Sequence, residues 1–401
     1  MRAYPTADQT DLRALAILGG LSCAAMLAAF YWKTGWAAPF PRDGTTLAIG
    51  RDFLNLWMYG RAAFAHNPAQ FYDPAIYNHA LTSMLGAGYP QQSWSYPPTL
   101  LPVAAPFGLL AYKLALLLWT GLGIAAFYFA SARDLGAQWW IVLVSPAAVF
   151  CVMSGQESLL ATAALIAIFA WQDRKPVLAG ILIGLLTLKP QLGVLLPVML
   201  IASGRWRAFT VAAITTIALV ALTTALFGAQ VWIEYWRVGI PAQNQVLRDT
   251  HILATHFMPT VFVNAHLAGA SYGASMALQI MFAIGAAALV FWAFRRRANA
   301  DPLILQALFF ACSLAATPYL MGYDALPLAF VAVALLAKGN LDRAGRRLAQ
   351  LAYWLPFVQF GLAQWHIPGA ALIAPVFAVY LGWRLSDARP AITPAAARPL
   401  P

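Results

Sequence analysis

Apolar residues fall along the chain in runs of helix length separated by short polar breaks. The runs lie near residues 14–32, 113–131, 138–153, 156–171, 176–188, 190–203, 207–227, 274–294, 302–316, 319–337, 349–365 and 368–385. A helix needs about 20 apolar residues to cross the hydrocarbon of a bilayer. The pattern predicts an all-α polytopic membrane protein with about 12 transmembrane helices, forming one domain over residues 1–385. A secretory signal is the alternative for the first run. No cleavage motif follows it, so an uncleaved first helix with an inside N-terminus is expected. The Pro/Ala-rich tail 386–401 reads as disordered and cytoplasmic.

Polar residues break the pattern in two long stretches, about 33–96 and 228–273, expected as outer loops. Between them, Pro97, Pro98, Pro102 and Pro106 disfavour an uninterrupted lipid-exposed helix. The segment 97–110 is therefore read as interfacial or re-entrant, followed by one crossing. In the first loop a helix is predicted from Asp52, with Asp52, Asn55 and Tyr59 on one face and Phe53, Leu56, Trp57, Gly60 and Phe64 on the other. Such a helix would lie in the interface. Asp73-Pro74 is a second helix start and Gly86 and Gly88 its end.

Composition agrees with the pattern. The chain is 61% hydrophobic and 10% charged, where a soluble domain carries roughly a quarter charged residues. The net charge of +11 raises nucleic acid as a partner, but no basic stripe runs along a soluble face. Alternating the runs from an inside N-terminus puts 17 of the 25 basic residues inside and seven outside, with Lys113 at the boundary. The inside set includes Arg2, Arg133, Arg174, Arg205, Arg296, Arg297, Lys338, Arg389 and Arg398. The bias predicts an inner (plasma) membrane protein with both termini cytoplasmic and its active face outside.

On this topology the polar groups that could carry chemistry share the outer face. They are Asp52, Gln156 and Glu157, Lys189 and Gln191, and Tyr323-Asp324. A carboxylate just above the membrane suits a general base, and Asp52 equally suits a helix cap. Lys189 could hold a phosphate as a point charge. Lys189 could instead snorkel, or pair with Glu157 and Asp324 as structural counter-ions. His251 and His256 lack helical metal-ligand spacing, no Walker or GxSxG motif occurs, and Cys23, Cys151 and Cys312 fall in apolar runs without CxxC spacing. Neither a metal nor a cofactor is expected.

Several strings together resemble glycosyltransferase family 87, polyprenol-phosphate-dependent transferases of the GT-C membrane fold. They are GRDFLNLW around Asp52, FYDP from Phe71, SYPP from Ser95, Gly155-Gln156, LKPQ from Leu188 and TPYLMGYD from Thr317 to Asp324. The likeness runs from about residue 45 to 340. It implies transfer of a hexose, commonly mannose, from a polyprenyl-monophosphate donor to a hydroxyl of a glycolipid or glycan acceptor at the outer face. Asp52 would then be the base, and the sugar carbon would invert. Arg51, Asn55, Tyr59, Arg61, Gln156, Lys189, Gln191, Tyr323 and Asp324 would bind substrate. Some members carry a His pair where this chain has Tyr323-Asp324. The competing readings are a transporter or flippase of a lipid-linked or small polar solute, which would place charges near the bilayer midplane, and a non-catalytic scaffold.

Overall fold

The computed structural model describes residues 7–92, 94–249, 253–295, 300–339 and 341–387. Arg2, His251, Arg296, Arg297, Arg389, Arg398 and all but the first two residues of the 386–401 tail lie outside them. Among the described residues the chain is helical, with one isolated antiparallel bridge between Arg42 and Ala48.

The helices run α1 Ala7–Tyr31, α2 Asp52–Ala62, α3 Pro74–Leu85, α4 Leu101–Gly108, α5 Tyr112–Leu135, α6 Trp139–Leu143 and α7 Pro146–Ser154. There follow α8 Ser158–Trp171, α9 Pro176–Leu185, α10 Pro190–Gly193, α11 Leu196–Ala202, α12 Trp206–Phe227, α13 Gln230–Glu234 and α14 Ile240–Arg248. The last are α15 Val261–Leu267, α16 Tyr272–Arg295, α17 Pro302–Ala316, α18 Leu326–Lys338, α19 Arg343–Tyr353, α20 Leu355–Ala363 and α21 Ile373–Asp387.

Every apolar run lands on helix, but among the described residues five helical segments are long and apolar enough to cross a membrane: Asp8–Tyr31, Tyr112–Leu143, Trp206–Phe227, Tyr272–Arg295 and Pro368–Asp387. The expected twelve crossings are thus not twelve span-length helices. Three of the runs are pairs of short helices whose second member opens with proline in its first turn: α6/α7 at Pro146, α10/α11 at Pro197 and α19/α20 at Pro356. Proline has no N–H to continue the ladder and its ring crowds the preceding turn. α8, α9 and α17 span 14, 10 and 15 residues. Proline likewise holds residues 97–110 to a 3₁₀ turn and the eight-residue α4.

Burial sorts these elements into two layers. The long helices carry exposed Ile17, Leu21, Leu117, Phe129, Ile217 and Ile284, an apolar surface that water would not tolerate and lipid does. Inside them α17 and α18 form the centre: every residue from Leu305 to Ala316 and from Leu326 to Leu336 is buried. α8 and α18 each run from the neighbourhood of Asp52 to the far end of the bundle, and α17 returns. At 1.5 Å per residue α18 separates the two ends by about 20 Å.

The first polar loop folds onto this bundle. α3 starts and stops as its sequence predicts. Asp73 Oδ1 accepts from the amides of Ala75 and Ile76 at 2.8 and 3.3 Å, Pro74 takes the first turn, and Gly86 ends the helix at φ 92°. α2 departs from the expected interfacial helix. Phe64 lies beyond its end and is exposed, while both faces of the helix are packed: Phe53, Leu56, Trp57 and Gly60 on one, Tyr59 on the other. The polar face is enclosed because its groups have partners. Tyr77 donates to Asn55 Oδ1, and the Tyr59 and Tyr72 hydroxyls lie 2.8 Å apart.

α2 crosses α4 backbone to backbone. A Cβ at Gly60 would run into the Ala104 carbonyl and the Gly108 amide, and one at Gly108 into Gly60 and Arg61. Gly60→Ala should therefore push α2 off α4, costing about 1–3 kcal/mol of stability. A thermal melt in detergent checks this, and an unchanged midpoint would contradict the close crossing.

Candidate active site

The entry to α2 decides where Asp52 points. Residues 43–47 loop back through the Arg42–Ala48 bridge, and Asp43 Oδ1 fixes the loop by accepting from the Thr45 amide and hydroxyl at 2.8 and 2.6 Å. Asp43 Oδ2 then accepts from Arg51 Nε and Nη2 at 3.0 and 2.8 Å. The backbone turns into the helix through Gly50 at φ 83° and Arg51 at φ 35°. Positive φ in a residue with a side chain is strained, and such strain concentrates at functional sites. It delivers Asp52 as the first helical residue, with Arg51 at the cap position making no side-chain cap bond.

Asp52 is thus free of the capping role that its residue type allows. Its Oδ2 accepts from Gln156 Nε2 at 2.8 Å and lies 3.5 Å from the Tyr323 hydroxyl. Tyr96 donates to its backbone carbonyl at 3.4 Å. The carboxyl lines a cavity of about 260 Å³ together with Arg51, Gln92, Ser154, Tyr323 and an apolar wall that includes Phe30, Phe150 and Phe257. Burial pushes the Asp52 carboxyl above the usual carboxylate range. The Gln156 hydrogen bond opposes this by favouring the charged form, Glu157 adds to the rise, and Arg51 and Lys189 pull it back.

Next to this cavity lies a buried charge network. Lys189 Nζ meets Asp324 Oδ1 at 2.6 Å and Glu157 Oε1 at 3.1 Å, and donates to Ser158 Oγ at 3.0 Å. Ser158 donates to the same Asp324 oxygen at 2.8 Å, while Asp324 Oδ2 accepts from the Met321 amide at 3.1 Å. All three ammonium donors of Lys189 have partners, and its Nζ sits 4.9 Å over the Tyr323 ring. The counter-ion arrangement is the one the molecule adopts. Lys189 holds Tyr323 and residues 156–158 in place and has no donor left for a phosphate.

The other expected site residues fall in different places. Asn55 and Tyr59 are tied into the aromatic packing of the loop, where Tyr59 meets Trp94 edge-on at 4.2 Å. Arg61 stacks 5.0 Å over Trp57 and faces a separate cavity with Lys113. Nine positions at about 100° each put it on the side of α2 opposite Asp52. Gln191 is half-buried, and its backbone carbonyl accepts from the Thr317 hydroxyl at 3.1 Å. Gln92, Ser154 and Ser158 were not expected. Ser154 and Ser158 flank Gly155-Gln156-Glu157 directly, whereas Gln92 lies in no motif. Among the described residues no cluster of His, Cys, Asp and Glu could hold a metal ion.

The arrangement is that of a membrane enzyme. A bundle of apolar helices holds a loop-borne carboxylate at a small cavity that is polar on one wall and apolar on the other. The sequence model of glycosyltransferase family 87 matches residues 94–321, more than half of the chain, and the chain belongs to that family. It is accordingly a membrane glycosyltransferase. No curated protein and no solved structure matched the chain. Gln156, Lys189 and Gln191 lie in the matched stretch; Asp52 and the Tyr323-Asp324 pair lie outside it and are joined to it by the contacts above.

Proposed function

We propose that the chain transfers a hexose, mannose in the first instance, from a polyprenyl-monophosphate donor to an acceptor hydroxyl at the outer face of the inner membrane, with Asp52 as the general base. The observation that carries this reading is the Asp52 carboxyl itself: uncapped, turned into the cavity and held by Gln156. A base must stand within hydrogen-bond reach of the proton it removes and have a pKa raised toward working pH. Asp52 has the position and the direction of shift.

The roles then follow from the cavity. At about 260 Å³ it has room for roughly eight or nine waters at about 30 Å³ each, a space on the scale of one sugar ring. The acceptor hydroxyl gives its proton to Asp52 and attacks the anomeric carbon from the face opposite the phosphate, which inverts that carbon. The phosphate departs already charged and needs no proton donor. Arg51 spends Nε and Nη2 on Asp43 and Thr45, and its Nη1 is the cavity cation we assign to that charge. The apolar wall takes the first isoprene unit.

Purified chain supplied with polyprenyl-phosphate mannose and a glycolipid acceptor should yield the elongated glycolipid. Uptake of donor into proteoliposomes with no product would replace this reading with transport. The acid limb of kcat/KM should lie above the pH at which an ordinary aspartate titrates, because activity requires the ionised form of a group whose pKa is raised. Gln156→Met removes the bond that favours the charge, so the limb should move to still higher pH; a move to lower pH would exclude Asp52 as its source. A periplasm-active reporter fused near Tyr89 should be on and one near Asp342 off, and the reverse would overturn the assigned face.

A further inference from the structure

The end of the bundle away from Asp52 holds a second cavity, of about 960 Å³. It is formed where the α5–α6, α8–α9 and α11–α12 connections and the start of α17 meet the last turn of α18. Apolar side chains such as Ile166, Phe169, Phe294 and Leu305 line part of it, and charged ones the rest.

The charges do not cancel. Arg133 pairs with Asp134, Arg205 with Asp173 and Lys338 with Asp301. Arg174 is the cavity cation without a carboxylate partner among the described residues. The buried polar atoms also lean toward donors. The Arg205 side chain is 7% exposed. It spends Nε and Nη2 on Asp173, and its Nη1 is buried without a partner. Gln306, 5% exposed, has an unpartnered Nε2, and Gln172, 8% exposed, an unpartnered Oε1. Buried polar atoms in folded proteins are almost always satisfied, and three at one cavity, each left without a protein partner, point to a ligand.

We propose that this cavity binds a phosphate-bearing polyol headgroup, its phosphate on Arg174 and Arg205 and its hydroxyls on Gln172 and Gln306. Guanidinium groups favour phosphate through paired, charge-assisted hydrogen bonds. The Gln172 carbonyl calls for a ligand that also donates, which a glycerol hydroxyl does beside the phosphate oxygens that Arg174 and Arg205 take up. A glycerol phosphate headgroup supplies this chemistry whether it arrives on a lipid or free in solution.

The test uses the full chain in neutral detergent and reads the unfolding temperature, with no dependence on sugar transfer. Added phosphatidylglycerol should raise it saturably, and phosphatidylcholine should not. A matching rise with soluble glycerol 1-phosphate would show that the headgroup suffices; a rise with the lipid alone would show that the chains are needed. Arg174→Gln with Gln306→Leu should weaken apparent binding at least tenfold. Arg174→Lys, which keeps the charge but not the paired hydrogen bonds, should retain a weaker response than the parent and a stronger one than the double variant, and serves as the folding control. No rise with either glycerol phosphate ligand, an equal rise with phosphatidylcholine, or an unchanged response in the double variant would overturn the proposal.

Discussion

Asp52→Asn is expected to lower the sugar-transfer rate by about 10²–10⁴-fold, the range that a positioned general base contributes, while the protein still folds and inserts. The substitution preserves shape. Asparagine can accept from Gln156 through its carbonyl as Asp52 Oδ2 does at 2.8 Å, and Asp52 makes no cap bond that the fold would lose. Only basicity disappears. Initial rates of the purified variant with lipid-linked donor and acceptor measure the effect, and its melting temperature confirms the fold. Activity above a tenth of the parent would remove Asp52 from the role of base. Asp43→Asn is the informative companion. It weakens the clamp on Arg51 without touching the base, so it should act on the binding and departure of the phosphate and move the acid limb of the pH profile less than Gln156→Met does, Arg51 being a smaller influence on Asp52 than the Gln156 bond.

That Asp52 is not a cap could not be read from its neighbours. Asp at the start of a helix usually caps, and Asp73 does. What separates them is the backbone: Pro74 continues Asp73 into a helix whose first amides it can reach, whereas Gly50 and Arg51 enter α2 through positive φ and turn the Asp52 carboxyl aside. Arginine in that conformation has no sequence signature. The helices themselves were legible from periodicity, and the sharing of one site by residues near 52, 156 and 323 was legible from span parity. The proline breaks at 146, 197 and 356 were visible too, but an unbroken apolar run hides them from a count of spans. The enclosure of α2 was hidden for a different reason. Asn55 and Tyr59 look like a solvated face because a polar residue with a buried partner and one facing water read alike in sequence. Their partners Tyr77 and Tyr72 lie on the next two elements.

Lys189→Met should be the most destabilising change at the site, costing about 3–5 kcal/mol, the penalty for stranding a buried charge. The Asp324 side chain is 1% exposed and loses its cation; Glu157, at 19%, reaches water more easily and suffers less. Adding Asp324→Asn to Lys189→Met should restore part of the loss. The amide removes the stranded charge: its carbonyl can accept from the Met321 amide, as Asp324 Oδ2 does at 3.1 Å, and its NH2 can donate to Ser158 Oγ, which lies 2.8 Å from Asp324 Oδ1. Denaturant or thermal unfolding of both variants in the same detergent measures the difference. If Lys189 instead gripped the donor phosphate, Lys189→Met would raise KM and leave the melt nearly unchanged. A nearly unchanged melt, without the rise in KM, would follow if the pair lay in water, where ion pairs contribute little. A double variant no more stable than the single would likewise break the network. Because the Tyr323 ring packs on Lys189 and its hydroxyl faces Asp52, the restored fold need not restore activity. A stable double variant with reduced kcat would place the role of the ion pair in holding Tyr323 and Gln156 around the base.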